Sequence, residues 1–353
     1  MQAIQKSPSL FRTLTQSVFD PHAADFWLQK VNPIWSTSRA LAQIIEKKQV
    51  AKDTISLTLQ TNRHVKLGKA GQHHPVKVKI DGRLYERSYS LTERNGDLIL
   101  TVKKIADGKV STWLHEQSQV GDIVELGQPF GDMQLDDQQN VVLLAAGSGI
   151  TPMYSLIEQL KRNQQLTQAQ VKLLYWVKHR NEAAFASKFE QLASQYPQFE
   201  YKIFSTQDVQ HDDRLNVTHL AAIENLENTT VYACGPSGFV QTAEELFGHA
   251  QCFMSEAFSL TQISDNDTGF VNVTLSRSNK TVAIPKGQSI LAGLEQANIK
   301  PTYGCRMGVC HKCVCQKTQG TTQDLLNASE NSEPKNHIKI CVSSAKSDLV
   351  IDL

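Results

Sequence analysis

Tyr303–Cys315 reads YGCRMGVCHKCVC, and its cysteines decide how the rest of the chain is understood. Cys305, Cys310 and Cys313 stand in the order C-x4-C-x2-C, and Cys341 follows 28 positions after Cys313 inside IKICVSS. One tight loop and one returning strand therefore bring four soft thiolates together, at the spacing that holds a two-iron, two-sulfide cluster. The loop must stay thin enough for backbone N–H groups to reach the cluster sulfurs, and Gly304 and Gly308 supply that thinness. Two rival readings fare worse. A structural zinc site prefers paired C-x2-C knuckles, and Cys310 with Cys313 makes a single one. A disulfide framework belongs to short secreted chains with an even cysteine count, whereas the seven cysteines here are odd in number and concentrated in one loop of a 353-residue chain. Cys315 falls outside the spacing and reads as a buried thiol.

Upstream of the loop, FVNVTLSRS and KTVAIPKG have the period of a hairpin, and SILAGLEQANI puts Ile290, Leu291, Leu294 and Ala297 on one helical face. With these elements, residues 269–353 resemble a plant-type ferredoxin domain of the β-grasp fold. CRMGVCHKC resembles the cluster loop of bacterial reductases that carry such a domain at the C-terminus. His311 stands where many relatives have glycine and reads as a solvated loop residue. Residues 267–353 hold 10 Lys or Arg and 7 Asp or Glu, a balance of +3, whereas free plant ferredoxins are typically acidic. A tether already supplies effective concentration, so long-range steering toward an internal donor is unnecessary.

A chain of this length holds two or three domains, each able to bury a core. A formal net charge of +1 offers no global field for nucleic acid, and the sequence is read as having no nucleic-acid partner. No stretch approaches a membrane span and no secretory leader is evident, so the expectation is a cytoplasmic protein. Residues 1–39 form an aromatic-rich arm with helical patterns around Leu10, Leu14 and Val18 and again from Phe26 to Val31, before Pro33. The arm is expected to pack on the next domain; a docking face for a membrane-bound partner is the alternative.

From Ala40 onward come short alternating runs, TISLTLQT, HPVKVKI, DLILTVKKI and DIVELG, punctuated by DG and NG turns, the signature of an antiparallel barrel. Within it lie Arg87-Ser88-Tyr89-Ser90 and Gly108-Lys109-Val110-Ser111-Thr112. The second motif reads as a glycine turn opening a helix toward phosphate, capped by Ser111 or Thr112. Together they resemble the flavin-binding barrel of the ferredoxin-NADP reductase superfamily, whose R-x-Y-S motif is matched by Arg87, Tyr89 and Ser90. The resemblance implies that Arg87 forks the flavin pyrophosphate, Tyr89 lies against the ring system and Ser90 bonds near its N5. The form of Gly108, Val110, Ser111 and Thr112 is more like FAD-binding than FMN-binding members. Gln72 and Pro129-Phe130-Gly131 read as structural barrel turns.

A continuous apolar run, VVLLAA, then leads into Gly147-Ser148-Gly149-Ile150-Thr151-Pro152, a buried parallel strand ending in glycines with Thr151 as expected N-cap and Pro152 at the first helical position. It lacks the full G-x-G-x-x-G pattern and resembles the superfamily's G-x-G-x-T-P variant. Further strands VKLLYWV and TVYACG alternate with helical patterns, as in a doubly wound sheet with ligands at the strand C-termini. By resemblance Cys234, followed by Gly235 and Pro236, lies beside the nicotinamide, while Glu256 and Phe258 of MSEAF shape the flavin edge. No acidic residue follows YWV to take the ribose hydroxyl. Lys178, His179 and Arg180 follow it, and either accept a 2′-phosphate or form a solvated loop; NADPH is preferred and NADH is the alternative, with Ser205 and Arg214 as secondary candidates.

The expected architecture is multidomain: an arm (1–39), an antiparallel β-barrel for FAD (40–135), an α/β doubly wound nicotinamide domain (136–258), a linker (259–268) and an α+β β-grasp ferredoxin domain (269–353). Resemblance implies a reductase in which NADPH reduces FAD and single electrons leave through the 2Fe-2S cluster, with Cys305, Cys310, Cys313 and Cys341 as ligands. The expected acceptor is an oxygenase, first of all a membrane fatty-acid desaturase or hydroxylase that would bring peripheral membrane association. A soluble ring-hydroxylating or diiron oxygenase is the alternative.

Overall fold

The computed structural model describes residues 20–106, 108–135, 138–208, 213–259 and 269–353. The expected helix around Leu10 and nearly all of the expected linker lie outside them. Six antiparallel strands, β1 (Leu41–Ala51), β2 (Thr54–Thr61), β3 (His73–Ile80), β4 (Arg83–Arg94), β5 (Asp97–Lys103) and β6 (Ile123–Leu126), close a barrel in the order β1-β2-β5-β4-β3-β6. Alternation fills its interior: Ile55, Leu57 and Leu59 of β2 all turn inward. Its hairpins are set by the two turn signals. Asp81-Gly82 (φ 48° and 76°) joins β3 to β4, and Asn95-Gly96 (φ 54° and 89°) joins β4 to β5. Paired positive φ values twist the turn to match the strands.

Beyond the barrel, β7 (Asn140–Ala146), β8 (Gln170–Val177), β9 (Phe199–Ser205), β10 (Thr230–Pro236) and β11 (Cys252–Ser259) form a parallel sheet ordered β11-β10-β7-β8-β9. Val141 to Ala145 are buried without alternation, because helices such as Ile150–Arg162 and Ser237–Phe247 help to cover the sheet. Two strands go beyond the sequence reading. FEYKIFS forms β9, and MSEAF lies within β11, an edge strand that carries Glu256 and Phe258.

The last unit holds β12 (Phe270–Leu275), β13 (Lys280–Pro285), β14 (Val314–Gln319), β17 (Asn336–Lys339) and β19 (Leu349–Ile351) in a mixed sheet ordered β13-β12-β19-β14-β17. A second sheet joins β15 (Thr322–Asp324), β16 (Glu330–Asn331) and β18 (Ser343–Ala345). The helix between β13 and β14 is shorter than its apolar pattern suggested. It runs Ile290–Gln296, capped by Ser289 accepting from the Ala292 N–H at 3.2 Å, and the chain turns at Asn298 with φ 60°.

At the other end, helix Pro21–Val31 is anchored through Asp25, whose buried carboxylate accepts from the Ser36 hydroxyl, the Thr37 N–H and the Thr37 hydroxyl at 2.7–2.8 Å. Asn62 of the barrel donates to the carbonyls of Ile34 and Arg39, so this part of the arm packs on the barrel. Phe26, Trp27 and Val31 remain exposed.

A buried hydrogen bond helps to join the barrel to the parallel sheet. The Ser155 hydroxyl, on helix Ile150–Arg162, donates to the Leu91 carbonyl of β4 at 3.0 Å. Replacing the serine leaves a buried carbonyl unpaired. Ser155→Ala is expected to cost about 1–3 kcal/mol, read as a lower midpoint in chemical denaturation; an unchanged midpoint would show that the contact does not join the two units.

Candidate functional site

The Arg87–Ser90 motif occupies the middle of β4, where Arg87 pairs with Val76, Tyr89 with His74 and Ser90 with His73 of β3. Arg87 is half-buried. Its Nη1 donates to the Glu86 carbonyl at 2.7 Å, and among the described residues no carboxylate forms an ion pair with it. Burial, and then the nearby charge of Arg306, push its pKa down. A desolvated guanidinium lacking an anionic partner fits a pyrophosphate group. Next to it the buried Ser88 Oγ has no hydrogen-bond partner. Burial holds the Tyr89 hydroxyl firmly protonated, with Arg87 opposing the shift.

Gly108 itself caps the turn Lys109–Thr112, with no side-chain cap, which corrects the expectation that Ser111 or Thr112 does so. The Ser111 hydroxyl is already used: it donates to the Gly108 carbonyl at 3.1 Å and accepts from the Ile105 N–H at 3.3 Å, closing the loop on itself. Val110 is buried beneath it.

At the tip of β7, Gly147 has φ 55°, the left-handed region. Gly149 is required for another reason, since a Cβ there would sit 2.0 Å from the Cys234 carbonyl oxygen. The glycines thus let the turn lie directly on the end of β10, against Cys234 and Gly235. The helix begins earlier than expected. Gly149 is its N-cap, Thr151 lies inside the first turn with its hydroxyl bonded to the Ser148 carbonyl at 3.1 Å, and Pro152 is the third residue, where no intrahelical N–H is needed.

Over these C-terminal strand ends opens a cleft of ≈ 670 Å³, lined by Gly147, Pro236, Lys178, Arg214 and Phe258, with Lys103 from the barrel opposite. Such a position, outside the carboxyl ends of parallel strands, is where doubly wound sheets bind nucleotides. Arg180 is not in its lining. Its guanidinium donates to the Ile203 carbonyl at 2.9 Å and its N–H to Asp208. Cys234 lies fully buried outside the lining, its thiol pushed well up by burial.

His73 went unsingled in the sequence and is central in the structure. It is 1% exposed, stacks on Phe130 at 5.9 Å, meets Phe258 edge-on at 5.6 Å, and its Nε2 lies 3.1 Å from Glu256 Oε2 and 3.4 Å from Ser90 Oγ. Burial, with His74 alongside, lowers its pKa to about 4, while burial and the charge of Asp132 raise Glu256 to about 8. Near neutrality the pair therefore holds one proton, on the carboxyl, and no net charge. A His-His-Pro run at the start of a barrel strand was the available signal, but alternation alone does not show that one imidazole meets another domain.

The four spaced cysteines converge in the last unit as two pairs. Cys313 and Cys341 sulfurs are 3.1 Å apart, and the Cys305 N–H donates to Cys310 Sγ at 3.2 Å, while the Met307 and Cys310 N–H groups reach Cys305 Sγ at 3.3 and 3.4 Å. Hydrogen bonding within each pair lowers one thiol, Cys310 to about 5 and Cys313 to about 7, and raises its partner. Among the described residues no three His, Cys, Asp or Glu side chains surround one ion position. Two thiol pairs with inward N–H donors suit two bridged irons better than one tetrahedral zinc. His311 is exposed at φ 57°, which explains why glycine is favoured there.

Comparison with known proteins matches this geometry segment by segment. Residues 41–135 match the oxidoreductase FAD-binding domain, 143–245 the oxidoreductase NAD-binding domain and 273–346 the 2Fe-2S iron-sulfur cluster binding domain. The chain is thus an NAD(P)H oxidoreductase of the ferredoxin reductase type, with FAD, nicotinamide and 2Fe-2S modules in one polypeptide. In this order the three modules make it similar to the oxygenase reductases of the ferredoxin-NADP reductase superfamily that carry a C-terminal 2Fe-2S ferredoxin domain. An NADPH oxidoreductase of Mycobacterium tuberculosis is 28% identical across 97% of this chain and 92% of its own length. Phthalate dioxygenase reductase of Burkholderia cepacia is 28% identical across 88% of this chain and 96% of its own. A solved phthalate dioxygenase reductase superposes with a TM-score of 0.64 at 26% identity, covering 89% of this chain and 97% of that one.

Two measurements probe the site. Gly149→Ala must displace the β10 carbonyl, so a loss of roughly 1–3 kcal/mol is expected in thermal unfolding, and a melting point equal to the parent's would refute the close approach. Between pH 6.5 and about 8 the folded His73–Glu256 pair keeps a proton that the unfolded chain has released, so stability falls as pH rises through that window. Melting scans of the parent should lose about 2 kcal/mol more than Glu256→Gln across it; parallel curves would mean that the carboxyl is ionised throughout.

Proposed function

We propose that this protein takes electrons from NADPH and passes them through FAD and its own 2Fe-2S cluster to an oxygenase. The observation that carries the reading is the presence along one chain of a nucleotide cleft, a half-buried guanidinium with no carboxylate paired to it among the described residues, Arg87 of the R-x-Y-S strand, and a cluster loop packed against that strand. The flavin, when bound, supplies conversion of a two-electron donor into single electrons for a one-electron carrier.

The protein's own residues then have positional and electrostatic work. Arg87, with Ser88 and the Gly108–Thr112 turn including Val110 and Ser111, holds the flavin phosphates. Tyr89 packs against the ring, and Ser90 presents its hydroxyl to the ring edge, backed by His73 Nε2. Burial keeps His73 uncharged and Glu256 protonated, so that the pair can hold one proton beside the flavin without placing net charge there. Gly147, Gly149, Thr151, Pro152, Gly235 and Pro236 shape the turn over which the nicotinamide nucleotide lies, Cys234 fixes the floor beneath it, and Phe258 covers the flavin edge. Cys305, Cys310, Cys313 and Cys341 hold the cluster.

NADPH is the preferred donor because Lys178 and Arg214 line the cleft, where they could meet a 2′-phosphate; Arg180, directed to Ile203, is the weaker candidate. The similar mycobacterial protein is an NADPH oxidoreductase, which supports the preference. The oxygenase assignment is supported by the phthalate dioxygenase reductase relatives, which favour a ring-hydroxylating acceptor. A membrane desaturase has one observation in its favour, the exposed Phe26, Trp27 and Val31 face of the arm. No helix among the described residues is long and apolar enough to cross a membrane, and a cytoplasmic location fits either acceptor.

The donor is tested by the ratio of kcat/KM for NADPH and NADH in the parent and in Arg214→Ala. A parent preference for NADPH that falls at least about tenfold in the variant, the loss of one charge-assisted phosphate contact, is expected; equal values for the two nucleotides in the parent would refute it.

A further inference from the structure

The cluster loop and the flavin-binding strand meet at a contact that none of these roles uses. Lys312, between Cys310 and Cys313, places Nζ 2.5 Å from Glu86 Oε1, and Glu86 immediately precedes Arg87 on β4. The approach is close on both sides. A Cβ on Gly304 would lie 2.7 Å from Cys310 Sγ, 2.8 Å from Lys312 Cδ and 3.1 Å from Glu86 Oε1, so only a glycine lets the carboxylate reach into the loop. The same packing brings like charges together. Arg306 acts on Arg87 across the boundary, balanced by Glu295, to which it is paired, and by Tyr303, whose ring lies 4.2 Å beneath its guanidinium. Between two cationic faces, Lys312–Glu86 is the direct opposite-charge bridge from cluster loop to β4. It is also accessible: the lysine side chain is 42% exposed and the glutamate 16%.

We propose that Lys312 and Glu86 form a positioning latch, which holds the cluster loop on the flavin-binding strand while the cluster is being reduced and yields when an external acceptor takes the loop. The inference rests on the flavin-to-cluster route proposed above. A partly exposed ion pair is a weak, salt-screened interaction, and that suits the task. A strong one would keep the loop docked and block the exit of the electron. Its strength sets the ratio of docked to undocked molecules at about two- to fivefold. Lys312 and Glu86 hold the loop and neither gains nor loses a proton; with both groups bound, the one electron lost by the reduced flavin would be the one gained by the oxidised cluster.

The test uses the full-length holoprotein as parent, Glu86→Gln, Lys312→Gln and the charge-swapped Glu86→Lys/Lys312→Glu. Stopped-flow absorbance follows flavin reduction and cluster reduction separately after mixing with NADPH, and small-angle X-ray scattering reports the maximum dimension at low and high salt. Each single variant should slow cluster reduction about two- to fivefold, leave flavin reduction at the parent rate, remove the parent's salt dependence and widen the scattering envelope at low salt. The swapped pair should recover both readouts. Single variants that transfer and scatter like the parent, or a swap that restores neither, would overturn the latch. A parent whose flavin is reduced while its cluster stays oxidised would instead overturn the function proposed above, a result separable from the first because scattering is read without turnover.

Discussion

One strand ties the three units together. β4 builds the barrel with β3 and β5, receives the Ser155 hydroxyl of the nucleotide unit on the Leu91 carbonyl, and presents Glu86 to Lys312 of the ferredoxin unit. Glu86 and Leu91 are five residues apart, about 17 Å along an extended strand. The segment between them is Arg87-Ser88-Tyr89-Ser90. The residues proposed to hold the flavin therefore lie between the anchor of the nucleotide unit and the anchor of the ferredoxin unit, and a register slip of one residue would turn all of them to the wrong face. The paired positive-φ turns at Asp81-Gly82 and Asn95-Gly96, at the two ends of β4, fix that register.

Burial tunes the site around this strand. Arg87 is desolvated without a carboxylate, His73 is kept uncharged, and Glu256 is kept protonated. Each is costly by itself and would suit the flavin proposed here: Arg87 would meet its phosphate, and a neutral pair would avoid imposing charge on a ring edge that changes its own charge in turnover. By contrast the ferredoxin unit meets the barrel through a solvent-accessible ion pair. Permanent contacts are buried and hydrogen-bonded here, and the contact that must come and go is exposed.

Much of this was legible in the residues. Cysteine spacing pointed to the unit that matches a 2Fe-2S binding domain, because ligand geometry leaves few alternatives; DG and NG located the hairpins, because paired positive φ values are strongly restricted to such dipeptides; and VVLLAA announced a strand buried on both faces. What escaped the sequence depended on distant partners. His73 matters through Glu256 and Phe258, more than 180 positions away. Lys178 and Arg214 reach the cleft while Arg180, two residues from Lys178, turns to Ile203, a choice of direction that composition does not encode. Thr151 looked like a helix cap, and Gly149 took that place because only a residue without a side chain fits against the Cys234 carbonyl.

The central claim is that flavin and cluster exchange electrons within one molecule, across the boundary between β4 and the cluster loop. Anaerobic rapid-freeze electron paramagnetic resonance, after mixing the holoprotein with one equivalent of NADPH at several protein concentrations, measures that directly. A signal from the reduced cluster that grows at the same first-order rate at every concentration is the predicted result. A rate rising in proportion to protein concentration would show that electrons pass between molecules and would contradict the account.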